Sequence, residues 1–232
     1  MSHPLDRPIW SALTTRQASL AVGAEVGGAT ALRLAPGYGV FAASVDQSPD
    51  SLAALALLER PEGVICTVEA EPIPVPPGLV VVKEATLTQM VLVALAPAKA
   101  RDIVIAPLTE ADAPAMLALA TLTEPGPFFE RTHQLGDFFG VKQDGRLLAM
   151  AGERLKPDGF TEVSGVCAHP DARGRGYAGA LMRTVIEQIL ARGETAFLHS
   201  YADNAGAIAL YRSLGFAVRS QMAMRMLASP DI

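Results

Sequence analysis

The sequence is short of cysteine, of aromatic residues and of charge. Among 232 residues there are two cysteines, Cys66 and Cys167, with no CxxC or Cys/His spacing around either. That excludes a disulfide framework and a zinc motif, and they read as two buried free thiols. His133 and His199 have no acidic or cysteine partners at ligand spacing, so no metal is expected. Lysine and arginine total 19 against 24 acidic residues, a net charge of −5. No bulk electrostatic footprint for nucleic acid or anionic lipid exists, and any anion must be gripped locally. No uncharged apolar run reaches the ~18 residues that span a bilayer. The greasiest stretch, Leu79 to Leu95, is broken by Lys83 and Glu84. Met1–Arg7 has no basic-then-apolar pattern, which makes the cytoplasm the expected address.

Half of the chain is hydrophobic, with 20 glycines and 17 prolines. This composition belongs to a globular protein with an ample core, arranged as one large domain or two small ones. The character of the chain changes near residue 100. Residues 1–98 are rich in glycine and proline, and 99–232 alternate regularly between strand and helix signals. Ala96-Pro97-Ala98-Lys99-Ala100 reads as the linker between two domains. In the first, Thr30–Leu34, Gly39–Ala43, Gly63–Val68, Leu79–Val82 and Thr86–Val93 read as strands, and Ser51–Glu59 as a helix capped by Asp50 or Ser51. In the second, strands are expected at Asp102–Ala106, Gly136–Lys142, Arg146–Arg154, Phe160–His169, Ala196–Ser200 and Phe216–Leu227. The pair Asp144-Gly145 marks a hairpin. Helices are expected at Thr109–Leu122, at Phe128–His133, from Ala178 to a stop at Gly193, and at Asn204–Leu214. The expected fold is α/β of the α+β type, a mixed and mostly antiparallel sheet flanked by helices, preceded by a smaller α+β domain.

The sharpest feature is Val166-Cys167-Ala168-His169-Pro170-Asp171-Ala172-Arg173-Gly174-Arg175-Gly176-Tyr177-Ala178. A strand ends, a loop with two glycines and two arginines follows, and an amphipathic helix begins. Amide N–H groups at a helix start have no intrahelical partner, and the helix dipole adds positive potential there. Glycine lets an oxygen anion approach the backbone, so a pyrophosphate is the natural ligand. Gly174-Arg175-Gly176-Tyr177-Ala178-Gly179 also satisfies the dinucleotide pattern GxGxxG. There, however, the first glycine follows the strand directly within a βαβ unit; here His169–Arg173 intervene and a hairpin precedes the strand. A Walker loop fails for want of Gly-Lys-Ser/Thr.

These residues resemble the GNAT superfamily of N-acetyltransferases. Arg173-Gly174-Arg175-Gly176-Tyr177-Ala178 fits the family's acyl-CoA loop, Gln/Arg-x-x-Gly-x-Gly/Ala. Asn204-Ala205-Gly206-Ala207-Ile208-Ala209-Leu210-Tyr211-Arg212-Ser213-Leu214-Gly215-Phe216 completes a second family block. The resemblance covers about residues 101–232. It implies an acyltransferase that moves an acetyl group from acetyl-CoA to an amine by direct attack in a ternary complex. A non-catalytic acyl-CoA-binding or sensing module is the alternative.

The resemblance also implies roles. Backbone groups of Val166, Cys167 and Ala168 would pair with the pantetheine arm, the loop from Arg173 to Ala178 would hold the pyrophosphate, and Asn204 would reach the same arm while capping its helix. Tyr211 would stand near the thioester sulfur as proton donor. Glu162, eleven residues ahead of Arg173, occupies the register of the catalytic glutamate in the histone-acetylating branch and is the candidate base. An amine is protonated at neutral pH, so its lone pair must be released by a base or by desolvation. A small-molecule or amino-acid-like amine is the expected acceptor, with no nucleic acid or membrane partner; a homodimer is compatible with the sequence. The first hundred residues lack the loop, with Ser48-Pro49-Asp50-Ser51 in its place, and read as a degenerate copy of the same fold or an unrelated cap.

Overall fold

A computed structural model describes residues 3–97 and 102–230. Ala98, Lys99 and Ala100 of the expected linker lie outside the described residues. The chain forms two compact units. The first comprises residues up to Thr88, Leu155–Asp158 and the chain from Ser220; the second comprises Gln89–Arg154 and Gly159–Arg219. Neither is a continuous stretch of sequence.

The first unit begins with helix α1 (Pro8–Thr14), whose proline stands where no amide donor is needed. A meander of β1 (Ala21–Val26), β2 (Ala29–Leu34) and β3 (Ala42–Ser44) follows, antiparallel throughout. The sequence gives no alternation to mark β1. Its hairpin is turned by Gly27 and Gly28, both at positive φ, and Gly23 lies against the Leu32 side chain. Helix α2 (Pro49–Leu57) is capped by Ser48 and starts two residues ahead of the expected Ser51. Strand β4 (Val64–Glu69) returns parallel to the approach to β3, through the bridge Phe41–Cys66. Arg33, fully buried, is satisfied by the carbonyls of Leu34, Glu59 and Gly39 and by Glu62.

Strand β5 runs unbroken from Val80 to Leu92, where the sequence predicts two strands. Nothing between them breaks a strand, and Glu84 is neutralised by Arg225. Its first part lies in the first unit and its end, from Gln89, in the second.

In the second unit, β6 is only Ala106–Pro107, with residues 102–105 outside any strand. Helix α3 is Ala113–Thr123, entered through a 3₁₀ turn at Glu110–Asp112. The helix expected at Phe128–His133 is instead a 3₁₀ turn at Thr132–Leu135, because the Thr132 hydroxyl accepts from the Phe129 amide and fixes a local bend. Strands β7 (Phe138–Gln143) and β8 (Arg146–Glu153) form the expected hairpin, with Asp144 and Gly145 both at positive φ as that turn requires. Strand β9 (Phe160–Ala168) pairs antiparallel with β8. Helix α4 (Tyr177–Ala191) buries Leu181, Met182, Val185, Ile186 and Ile189, the face its periodicity predicts. Strand β10 (Thr195–Tyr201) pairs parallel with β9. Helix α5 (Ala205–Leu214) is capped by Asn204 and ended by Gly215 at φ 104°. Strand β11 (Phe216–Ala228) is continuous and, like β5, divides between the units at Arg219.

Strand order in the second unit is β11-β5-β10-β9-β8-β7-β6, and in the first β4-β11-β5 beside the separate meander. The order helix, antiparallel three-strand meander, helix, parallel strand thus occurs twice. Each unit is completed by a strand from the other half of the chain: β4 is bordered by the C-terminal part of β11, and β10 by the end of β5.

Candidate active site

The last registered pair between β9 and β10 is Glu162 opposite Phe197. Both strands continue, to Ala168 and Tyr201, without further registered partners between them. A bulge also interrupts β9. Met150 pairs with Cys167 and Gly152 with Ser164, so β9 carries one residue more than β8, and Gly165 there has φ 62°. The extra residue reverses which face later side chains use. Val163, Val166 and Ala168 pack on the α4 side, whereas Cys167 faces the α3 side with Met116, Leu119 and Met150. Burial pushes the Cys167 thiol up to about 11, against the hydrogen bond with Thr123, so it carries no nucleophilic thiolate. Both cysteines are free and buried, as the sequence implies.

Beyond β9 the chain makes a 3₁₀ turn at Pro170–Ala172 and enters α4 through Arg173–Gly176. Gly174 has φ 76° and Gly176 φ 79°, so the loop takes a course that side-chain-bearing residues resist. Gly176 is the N-cap and no side chain caps α4, whereas Ser48 caps α2 and Asn204 caps α5. The amides opening α4 are therefore left without a capping acceptor. A cleft of about 730 Å³ opens here, lined by Ala168, Arg173, Gly174, Gly176, Tyr177 and Ala178, by Arg183 further along α4, and by Leu210 and Ser213 of α5. Arg183 is held by the carbonyls of Ala96 and Pro97. Arg175 donates to the Asp171 carbonyl at 3.1 Å.

Not all the expected residues gather at this cleft. Val166 and Tyr211 pack against the core beneath it, the Tyr211 ring edge-on to Phe216 at 6.4 Å. Burial raises the Tyr211 phenol, which keeps its proton at neutral pH. Asn204 is exposed, and its side chain accepts from the Ala207 amide at 3.1 Å.

Glu162 lies on the opposite face of the sheet and is fully buried. Arg154 grips it with two nitrogens, Nε to Oε2 at 2.9 Å and Nη2 to Oε1 at 2.8 Å, and His199 Nδ1 meets Oε1 at 2.8 Å. Burial by itself would raise its pKa; the Arg154 charge and the hydrogen bonds from His199 and Arg154 outweigh that and hold the carboxyl well below the usual range. A carboxylate held this way is a weak base. Sequence spacing hides both histidine–carboxylate pairs, since His133 Nε2 also meets Glu110 Oε2, at 2.7 Å. Only adjacency of strands in the sheet brings Arg154, Glu162 and His199 together. Close by, Phe128, Phe138, Arg154 and Ser164 border a shallow crevice between residues 125–128 and the β9 bulge. Among the described residues no group of three or more His, Cys, Asp or Glu could hold a metal, and no helix is long and apolar enough to cross a membrane.

Between β3 and α2 of the first unit, a carboxylate sits beside the start of the helix. Asp46 Oδ1 accepts from the Ser48 amide at 2.9 Å and from the Ser51 hydroxyl.

A crystal structure of a GNAT-family protein from Novosphingobium aromaticivorans matches 98% of this chain and 99% of its own, with 46% identity and a TM-score of 0.89. The chain belongs to the GNAT family of acetyltransferases. The FR47-like protein family model matches residues 139–225 of this GNAT chain, from β7 into β11. A GCN5-related N-acetyltransferase from Kribbella flavida shares the fold over 99% of the chain and 97% of its own, with a TM-score of 0.70 at 19% identity. Among curated proteins, the [ribosomal protein bS18]-alanine N-acetyltransferase of Escherichia coli K12 is 37% identical over 79 residues, 34% of this chain and 53% of that protein. The N-alpha-acetyltransferase RimI of Mycobacterium tuberculosis is 37% identical over 82 residues, 34% of this chain and 51% of its own. The chain spans about half the length of the curated relatives it matches.

Proposed function

We infer that this GNAT protein transfers the acetyl group of acetyl-CoA to the amine of a small-molecule or amino-acid-like acceptor. The observation that carries this reading is the uncapped start of α4, reached through two glycines at positive φ, at the head of the gap between β9 and β10. Unpaired amides and a helix dipole there suit a pyrophosphate, with Arg173 and Arg175 adding charge. The edge of β9 from Val166 to Ala168 can pair with the amides of the pantetheine arm as an extra strand would.

In the transfer the amine nitrogen attacks the thioester carbon, the carbon–sulfur bond breaks, and the leaving thiolate takes a proton. Tyr211, protonated and half-buried, is the donor in this reading. Glu162 serves as a fixed anion, so the acceptor loses its proton to water or by desolvation on binding. The first unit is read as a copy of the fold whose anion site Asp46 has filled.

The names of the Escherichia coli and Mycobacterium tuberculosis relatives favour a second acceptor, the amino terminus of a protein. Following thiol release with acetyl-CoA against free amino acids, simple amines and amino-terminal peptides separates the two. An acyl-CoA-binding module would bind acetyl-CoA and release no thiol with any of them.

A further inference from the structure

The polar groups around Glu162 continue across the second unit's sheet. Arg219 Nη1 donates to Gln89 Oε1 at 2.9 Å, and Gln89 Nε2 lies 3.0 Å from His199 Nε2. Arg219 can only donate, which fixes the Gln89 amide with its oxygen towards Arg219 and its NH2 towards His199. His199 Nε2 must then accept, so the ring's proton sits on Nδ1 and is donated to Glu162. The side chain is 4% exposed, and both ring nitrogens are used.

The position of this bond in the sheet gives it a use. Backbone registration between β9 and β10 ends at Glu162–Phe197, and His199 is the next residue of β10 on the same face. A side-chain bond from β9 to β10 therefore takes over where the main-chain ladder stops. Arg154, the residue after β8, holds Glu162, and Gln89 holds His199 from β5.

We propose that the Glu162–His199 hydrogen bond is a fastening at the apex of the gap between β9 and β10, and that both are positioning residues for the acyl-CoA arm. This rests on the acetyl-CoA reading above. With the fastening in place, the strands part at a fixed residue and the free edge of β9 meets the arm in one register. Without it, the parting point can slide and the free edge is no longer preorganised.

The test is calorimetric titration of the full chain with acetyl-CoA alone, alongside its melting temperature. His199→Ala removes the donor; His199→Asn restores one where Nδ1 stood. A hydrogen bond to a charged group corresponds to roughly a tenfold or larger effect, so His199→Ala is expected to weaken acetyl-CoA at least about tenfold. His199→Asn is expected to recover most of that loss. Wild-type affinity in His199→Ala, or equal weakness in both variants at unchanged melting temperature, overturns the fastening. Should His199→Ala not fold, nitrogen-15 histidine spectra of the wild-type chain decide: a bare Nε2 and protonated Nδ1 are expected, and the reverse tautomer overturns the proposal. A wild-type chain that fails to bind acetyl-CoA removes the acetyl-CoA reading, and this inference with it.

Discussion

The carbonyl oxygen of Ala94 lies 1.8 Å from where a Cβ on Gly215 would stand. Gly215 also ends α5 at φ 104°, and its own carbonyl accepts from the Val93 amide at 3.0 Å. The glycine that closes the second family block is thus required twice, by its backbone angle and by main chain pressed against it.

Gly215→Ala should therefore be severely destabilising. Neither the turn nor the Ala94 carbonyl can yield without breaking the pairing at the start of β11. A loss of at least about 3 kcal/mol is expected, read as a fall in melting temperature of roughly 6–12 °C.

Arg173 is exposed and has no side-chain partner among the described residues. Arg173→Ala should leave the melting temperature unchanged while weakening acetyl-CoA by about five- to tenfold, as expected for one charge-assisted phosphate contact. The loss should shrink at high salt in a calorimetric series. An unchanged affinity at low salt removes Arg173 from the site.

Kinetics separate Glu162 from Tyr211. Tyr211→Phe should lower kcat by about 10²-fold with acetyl-CoA affinity intact, as loss of a general acid does. Glu162→Gln should instead raise the KM for acetyl-CoA more than it lowers kcat. If Glu162 were the base, kcat would fall by about 10²–10⁴ and the acid limb of the pH profile would disappear.

Asp46 predicts an acid-labile first unit. Hydrogen bonds from Ser51 and then Ser48 lower its pKa from 3.8 to about 2. Because the folded value lies below the unfolded one, its stabilisation is complete above about pH 4 and is lost as pH falls through about 2. Asp46→Asn should be less stable than wild type at pH 6, with the difference closing below pH 3, followed by circular dichroism in denaturant.

Cys167 should resist alkylation. With the thiol at about 11, about one molecule in a thousand is thiolate at pH 8, and the side chain is buried besides. A thiol reagent should modify neither cysteine of the native chain on the timescale on which both react in urea.

Local features of the fold were legible where the physics is local. The periodicity of α4, the Asp144-Gly145 turn, the Asn204 cap and the glycine loop each follow from residues within a turn or two of one another. Features made by strand adjacency were not. Val80–Leu92 reads as two strands because the charges of Lys83 and Glu84 look like an interruption; Arg225, 141 positions away, neutralises one of them. The His199 partners Glu162 and Gln89 are 37 and 110 positions away, beyond any spacing rule. Glu162 itself is visible in the sequence as a carboxylate at a suggestive register. That it is an ion-paired one depends on Arg154, brought alongside by the β8–β9 pairing.

The exchange of β5 and β11 bears on biosynthesis. The amino-terminal unit cannot close before residues 220–228 have been made, because they form one of its inner strands. Nascent chains should therefore stay protease-sensitive in that unit until β11 has emerged from the ribosome. Splitting the gene near codon 98 should yield two fragments that are competent only when co-produced.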